Sequence, residues 1–287
     1  RNDYAKIQDV LMKNLRIIDQ AVQNKGQVIG LPTGFKQLDE KTSGLQPSDL
    51  IIVAARPGMG KTAFALNIAQ QSAVKAGASV LIFSLEMSQE QLGQRLIAMQ
   101  ARVESEKLKK GTLDLKDWDR INFALNELNN TKIVIDDTPG ISIMEMRNKC
   151  RRLKAEQGLD LIVVDYLQLM TFDGRADSRQ QEISALSRHL KLLAREMNCP
   201  VIVLSQLSRA PELRQDKRPM LSDLRESGSI EQDADIVMFL YRDDYYNENT
   251  EKPGVCEINI AKHRSGPTDR IDLTWVARYT KFSDKAL

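Results

Sequence analysis

The sequence predicts an α/β domain with a mainly parallel central sheet, preceded by an amphipathic helix. Three observations carry this. Short runs rich in Ile and Val recur along the chain, mostly without strict apolar–polar alternation. Strands buried on both faces read this way. Helix-length segments separate several of these runs, and strand–helix–strand order is the α/β signature. The first run also feeds a Gly-Lys-Thr loop and then a helical segment, which is the context of a phosphate-binding loop.

Taken in order, residues 4–22 place Ile7, Val10, Leu11, Ile18 and Val22 near a 3.6-residue period, which predicts a helix with one apolar stripe. Such a stripe needs cover, either from its own domain or from a neighbouring subunit. Residues 23–49 are rich in Gly, Pro, Thr and Ser and read as linker and turns. The division expected is therefore a leading helix and connecting segment over 1–29 and a main domain over 30–287. Strands are predicted at 50–55, 79–85, 132–137, 161–166, 200–206, 235–241 and 256–263. Helices are predicted at 62–76, 89–101, 115–130, 142–157 and 178–197. The tail DRIDLTWVARYTKFSD alternates more and suits antiparallel edge strands.

Composition narrows the function classes. A chain of 287 residues is long enough to bury a full core. A formal charge of +2 with 28% charged residues gives no strong single-signed field. Any nucleic-acid contact must then come from local loops. No apolar run reaches membrane-spanning length and the opening residues carry no signal-like segment, so a cytoplasmic protein is expected. Cys150, Cys199 and Cys256 are scattered and form no CxxC pair, which argues for a reducing compartment and against a zinc site. His189 and His263 are the only imidazoles, which excludes a histidine-rich metal site.

The stretch AARPGMGKTA departs from the strict G-x-x-x-x-G-K-[ST] pattern, because Ala55 stands at the first glycine position. Alanine is small enough there if the backbone does not need a positive φ. Arg56, Pro57, Gly58, Met59, Gly60, Lys61, Thr62 and Ala63 form the candidate nucleotide-binding segment. Gly58 and Gly60 permit a tight turn whose N–H groups, with the helix start, face an anion. Lys61 has the reach for the β and γ phosphates, and the Thr62 hydroxyl suits Mg2+. Asp165 ends an apolar strand and is a candidate for orienting the Mg2+ water shell. Glu86 ends another strand and suits activation of water, although an acid before Ser88 also suits a helix cap. Asp136 and Asp137 end a third strand, so residue type alone leaves the catalytic acid open. Gln206 ends the strand VIVLSQ, where an amide suits sensing the γ phosphate and equally suits a satisfied surface position. In IAKHRSGP, alternation puts Lys262 and Arg264 on one face and His263 on the other. Two cations together can neutralise charge on a transferring phosphoryl group, in their own subunit or a neighbour's.

The runs GLPTGFKQLD, AARPGMGKTAFALNIA, FSLEMS, IVVDYLQLM, VIVLSQLSR, LSDLRESGSIEQDADIV and AKHRSGPT, in this order from about Gly30 to Trp275, resemble the C-terminal ATPase domain of DnaB-type replicative helicases. Alanine at position 55 fits that family's own form of the loop. The resemblance implies a RecA-like P-loop core in a hexamer, with ATP and Mg2+ between subunits. It implies that Lys61 and Thr62 are the phosphate-loop pair, Glu86 the water-activating acid, Asp165 the magnesium-linked acid and Gln206 the sensor. Lys262 and Arg264 would reach the next subunit's nucleotide, with Arg264 as the arginine finger. The leading helix resembles the linker helix that packs on an adjacent ATPase domain. Single-stranded DNA would thread the channel past TFDGRADSRQQ and past LRESGSIEQ, where Arg225, Glu226 and Gly228 correspond to backbone contacts. Phe172 is the lone aromatic candidate in these loops. Primase and a helicase loader are the implied protein partners. The family's N-terminal collar has no counterpart here, so the chain is expected to be a fragment. The rival readings are a related recombination or clock-type ATPase of the same fold, and an inactive ATP-binding scaffold.

Overall fold

The computed structural model describes residues 4–25, 28–227 and 229–286. In chain order its elements begin with helix α1 (Ile7–Gln23), helix α2 (Lys36–Thr42) and strand β1 (Leu50–Ala55). Helix α3 (Lys61–Ala76), strand β2 (Ser79–Ser84) and helices α4 (Gln89–Ala101), α5 (Ser105–Lys110) and α6 (Leu115–Asn129) follow. Next come β3 (Lys132–Asp136), α7 (Ile143–Gln157), β4 (Leu161–Asp165), α8 (Arg179–Met197) and β5 (Val201–Gln206). The chain continues through α9 (Ile230–Asp233), β6 (Ile236–Tyr241), α10 (Asp243–Tyr246), β7 (Val255–His263), β8 (Asp269–Val276) and β9 (Lys281–Asp284).

All the strands join one sheet, in the order β3-β2-β4-β5-β1-β6-β7-β8-β9. From β3 to β6 every pairing is parallel, and β7, β8 and β9 extend the sheet antiparallel. The parallel strands β1, β2 and β4 are buried at every residue, as their uninterrupted apolar runs require. Alternate residues of β1 feed two cores. Ile51, Val53 and Ala55 face one with α3 residues Phe64 and Ile68. Leu50, Ile52 and Ala54 face the other with α8 residues Leu186 and Leu190. The helices start where the sequence supplies caps. Ser88 with Gln91, Asp114 with Asp117 and Ser142 with Glu145 form reciprocal capping boxes at α4, α6 and α7.

One expectation is corrected. Beyond Gly30, the segment read as linker is part of the packed domain. Phe35, Leu38 and Leu45 are buried, and Phe35 stacks on Phe64 with ring centres 5.7 Å apart. The Asp39 carboxylate accepts from the Thr33 N–H at 2.9 Å and from its hydroxyl at 2.8 Å, which locks the turn before α2. Leu31 and Leu45 pair as an antiparallel bridge. The polar, turn-rich composition concealed three anchoring apolar side chains. By contrast, α1 has no buried residue, so its stripe is not covered by its own domain.

Candidate nucleotide-binding site

The site gathers at the carboxyl ends of parallel strands, where connecting loops converge outside the sheet. Register brings Ala55 beside Gln206 and Ser84 beside Asp165. Ala55 is fully buried extended backbone at the end of β1, so no left-handed conformation is required and alanine fits. The two glycines that follow are needed. Gly58 has φ +83° and Gly60 has φ +91°. A Cβ on Gly60 would also sit 2.9 Å from Cζ of Phe282. The loop thereby turns into α3 with free N–H groups at the helix start.

Arg56, Pro57, Gly58, Gly60, Lys61, Thr62, Ala63, Glu86 and Gln206 line one cleft. Met59 does not line it. Its side chain is buried in the core, with its sulfur accepting from the Arg242 N–H at 3.4 Å, so it contributes backbone only. The Arg56 guanidinium is turned to Leu207 O at 2.7 Å and to Glu212 at 3.1 Å, bracing the loop against the chain that follows β5. Thr62 Oγ1 donates to Asp165 Oδ2 at 2.9 Å, while the buried Asp165 Oδ1 has no hydrogen-bond partner. Burial pushes the Asp165 carboxyl up, against the pull of the Thr62 hydroxyl and Lys61. Burial likewise lowers the Lys61 ammonium, against Asp165 and Glu86. A buried carboxylate with one unpaired oxygen beside a hydroxyl is a donor set that fits a hard divalent cation or its water.

The other strand-end acids are engaged elsewhere. Asp136 pairs with Lys149 at 2.5 Å. Asp137 accepts from the backbone and side chain of Gln89, both at 3.0 Å, at the start of α4. Glu86 is exposed and lines the cleft, which separates it from the alternatives that the sequence left open.

Lys262 and Arg264 are not among the residues lining this cleft. They meet at the end of α9. Lys262 Nζ donates to Glu231 O at 2.6 Å, and Arg264 donates to Gln232 O at 2.8 Å. The predicted one-face arrangement holds, and His263 turns instead to Pro267 O at 3.2 Å. Gly228 lies outside the described residues, as do the side chains of Arg225 and Glu226, whose backbone belongs to the 3-10 segment Leu221–Ser227. Phe172 is only partly buried but packs against the α7–α8 side of the core, so it does not stand free as a stacking platform.

With this geometry in view, the family model for the DnaB-like helicase C-terminal domain matches residues 30–284. The chain belongs to that family. It is 55% identical over 280 residues to the replicative DNA helicase DnaC of Bacillus subtilis and 54% identical to the replicative DNA helicase DnaB of Geobacillus stearothermophilus. Each alignment covers 97% of this chain and 62% of the relative, so the chain spans about three fifths of their length. A solved structure described as an ATPase domain superposes with a TM-score of 0.94 at 41% identity, covering 99% of this chain and 100% of that one. A solved DnaB-like replicative helicase, reported with its interactions with primase, gives a TM-score of 0.89 at 42% identity, covering 98% and 67%. The DnaB-like chain thus has the RecA-like P-loop fold that its motifs imply.

Two residues of this DnaB-like domain escaped the sequence reading. Arg95, on α4, also lines the cleft, and burial lowers its guanidinium against the pull of Asp165 and Glu86. Its available signal was its place one turn beyond Leu92 on a helix capped directly after Glu86. Gln168 grips the end of β5. Its amide donates to Ser205 Oγ at 3.1 Å and to Gln206 O at 3.2 Å, and its oxygen accepts from Gln206 N–H at 3.3 Å. The Gln168 carbonyl in turn accepts from Arg179 at the start of α8. Nothing local marks this contact, because the two partners are 38 residues apart. Among the described residues, no helix is long and apolar enough to cross a membrane.

Proposed function

We propose that this chain is the ATP-hydrolysing motor of a hexameric replicative helicase that translocates on single-stranded DNA and unwinds duplex. The observation that carries the reading is the convergence of Lys61, Thr62, Glu86, Asp165 and Gln206 at neighbouring strand ends, while Lys262 and Arg264 lie elsewhere on the chain. The first group binds and orients a triphosphate, and the second needs a neighbour's triphosphate to act on.

In this reading the loop amides from Gly58 to Thr62 hold the phosphate oxygens, and Lys61 neutralises their charge. Thr62 and Asp165 would hold Mg2+, which would supply positive charge to offset that of the phosphates. Glu86 accepts a proton from water as its oxygen bonds to the γ phosphorus and the bond to the diphosphate breaks. Arg264 of the adjoining subunit stabilises charge on the transferring group. Gln206 registers loss of the phosphate, and Gln168 passes its displacement to the segment before α8. Arg225, Glu226 and Gly228 form the DNA-contacting loop, reading the backbone rather than the bases. The apolar stripe of α1 packs on an adjacent subunit, and primase and a loader are further partners of the assembled protein.

The test is ATP turnover with and without single-stranded DNA in Mg2+, with unwinding of a forked duplex measured in parallel. DNA-stimulated turnover with strand separation is expected. Persistence of ATP under these conditions would leave an inactive scaffold, and strand exchange without unwinding would point to a recombination ATPase.

A further inference from the structure

Arg264 is held by a carboxylate that the catalytic reading does not use. Asp235, immediately before β6, is only 6% exposed. Its Oδ1 accepts from Arg264 Nη1 at 3.0 Å, and its own backbone oxygen accepts from the Arg264 N–H at 2.8 Å. Both the head and the root of the arginine are therefore tied to one residue. The other guanidinium nitrogen, Nη2, donates to Gln232 O at 2.8 Å. Asp235 is itself fixed. Its Oδ2 accepts from the buried Leu50 N–H at 2.8 Å and from Lys191 Nζ at 2.6 Å.

A guanidinium carries five N–H donors in one rigid plane. Two are committed to Asp235 and Gln232, and the Arg264 side chain remains 48% exposed. The remaining donors are on a head whose plane is already set. An arginine free of such contacts would have to lose its rotational freedom at each catalytic event, whereas a pre-set donor meets developing charge without reorganisation. The bond to a carboxylate also strengthens the hold, because both partners are charged.

Resting on the proposed action of Arg264 across the subunit interface, we infer that Asp235 is its positioning residue, fixing the guanidinium plane so that its outward donors meet the neighbouring subunit's nucleotide. Asp235 touches no nucleotide in this arrangement and acts only through Arg264. Its second oxygen, bound to Leu50 and Lys191, references the finger to the strand that leads into the subunit's own phosphate loop.

The experiment is DNA-stimulated ATP turnover by Asp235→Asn, alone and mixed with Lys61→Ala subunits, with Arg264→Ala run alongside. The asparagine keeps an oxygen for the Leu50 N–H but loses the charge that holds Arg264. Turnover is expected to fall by about tenfold or more, with nucleotide affinity unchanged. Mixing with Lys61→Ala is expected to restore turnover, because those subunits bring an intact Asp235–Arg264 pair to the variant's working phosphate loops. A merely structural loss is not repaired in that way. Should Asp235→Asn fail to fold, Asp235→Glu keeps the charge while displacing the guanidinium, and the same loss and rescue are expected. Full turnover by the Asp235 variant beside an impaired Arg264→Ala, or a loss that mixing does not repair, overturns this inference alone. Full turnover by Arg264→Ala overturns the reading beneath it.

Discussion

The Lys61 ammonium rests 4.4 Å from the centre of the Tyr166 ring, close to Asp165 and Glu86 in charge. It is thus partly desolvated and supported by a π face. Replacing it by alanine removes the cation that meets the β and γ phosphates. Lys61→Ala is expected to lower ATP turnover by about a hundredfold or more while leaving the thermal melt nearly unchanged, and steady-state kinetics beside calorimetry checks both. A second residue makes the fold sensitive to pH. Burial and the neighbouring Asp235 push the Asp49 carboxyl up to about 6, against the pull of Lys191, His263 and Arg264. The folded chain then holds the Asp49 proton more tightly than the unfolded chain does. This contribution to stability is full below the ordinary carboxylate value of 3.8 and is lost as pH rises through about 6. Asp49→Asn is neutral throughout. Its melting temperature is expected to match the parent at pH 4 and to exceed it by about 2 °C at pH 7.5, and an equal gain at both pH values would contradict the assignment.

At the scale of elements, what the sequence made legible depended on how locally each signal was written. The strands of the parallel sheet were readable because burial on both faces leaves no choice but apolar residues, as in LIIVAA and LIVVD. The main helices were readable to within a residue because caps sit in the sequence itself, with Ser88, Asp114 and Ser142 each at the boundary. The placement of the loop, Glu86, Asp165 and Gln206 at one end of the sheet was legible for a related reason, since each stands at or just past the end of an apolar strand. Contacts made across long sequence separations were not. Gln168 on Gln206, Asp235 on Arg264 and Phe35 on Phe64 join segments whose local composition gives no hint of the partner. The segment around α2 shows the consequence. Phe35→Ala removes a fully buried ring, and the expected cost is about 3–5 kcal/mol, read from the midpoint of urea unfolding. A change of less than about 1 kcal/mol would return this segment to the status of a linker.

Across the whole molecule, two features are incomplete within one chain. The first is α1, where Ile7 is 70% exposed, Leu11 55%, Ile18 57% and Val22 62%. Fully burying one such side chain is worth about 1.5–3 kcal/mol, so covering the stripe on another subunit, as proposed, would contribute substantially to assembly. Leu11→Glu combined with Ile18→Glu is expected to shift the sedimentation profile toward smaller species with the circular dichroism melt unchanged, since neither residue is buried in the chain itself. An unaltered profile would remove α1 from the subunit interface. The second feature is the separation of the phosphate loop from Arg264, which makes a composite site the central claim. It is tested most directly by measuring ATP turnover in mixtures of Lys61→Ala and Arg264→Ala subunits. Each variant alone is expected to be nearly inactive. The mixture is expected to regain turnover, because Arg264→Ala subunits supply working phosphate loops and Lys61→Ala subunits supply the arginine. A mixture no more active than its separate components, or full turnover by Arg264→Ala alone, would contradict the account.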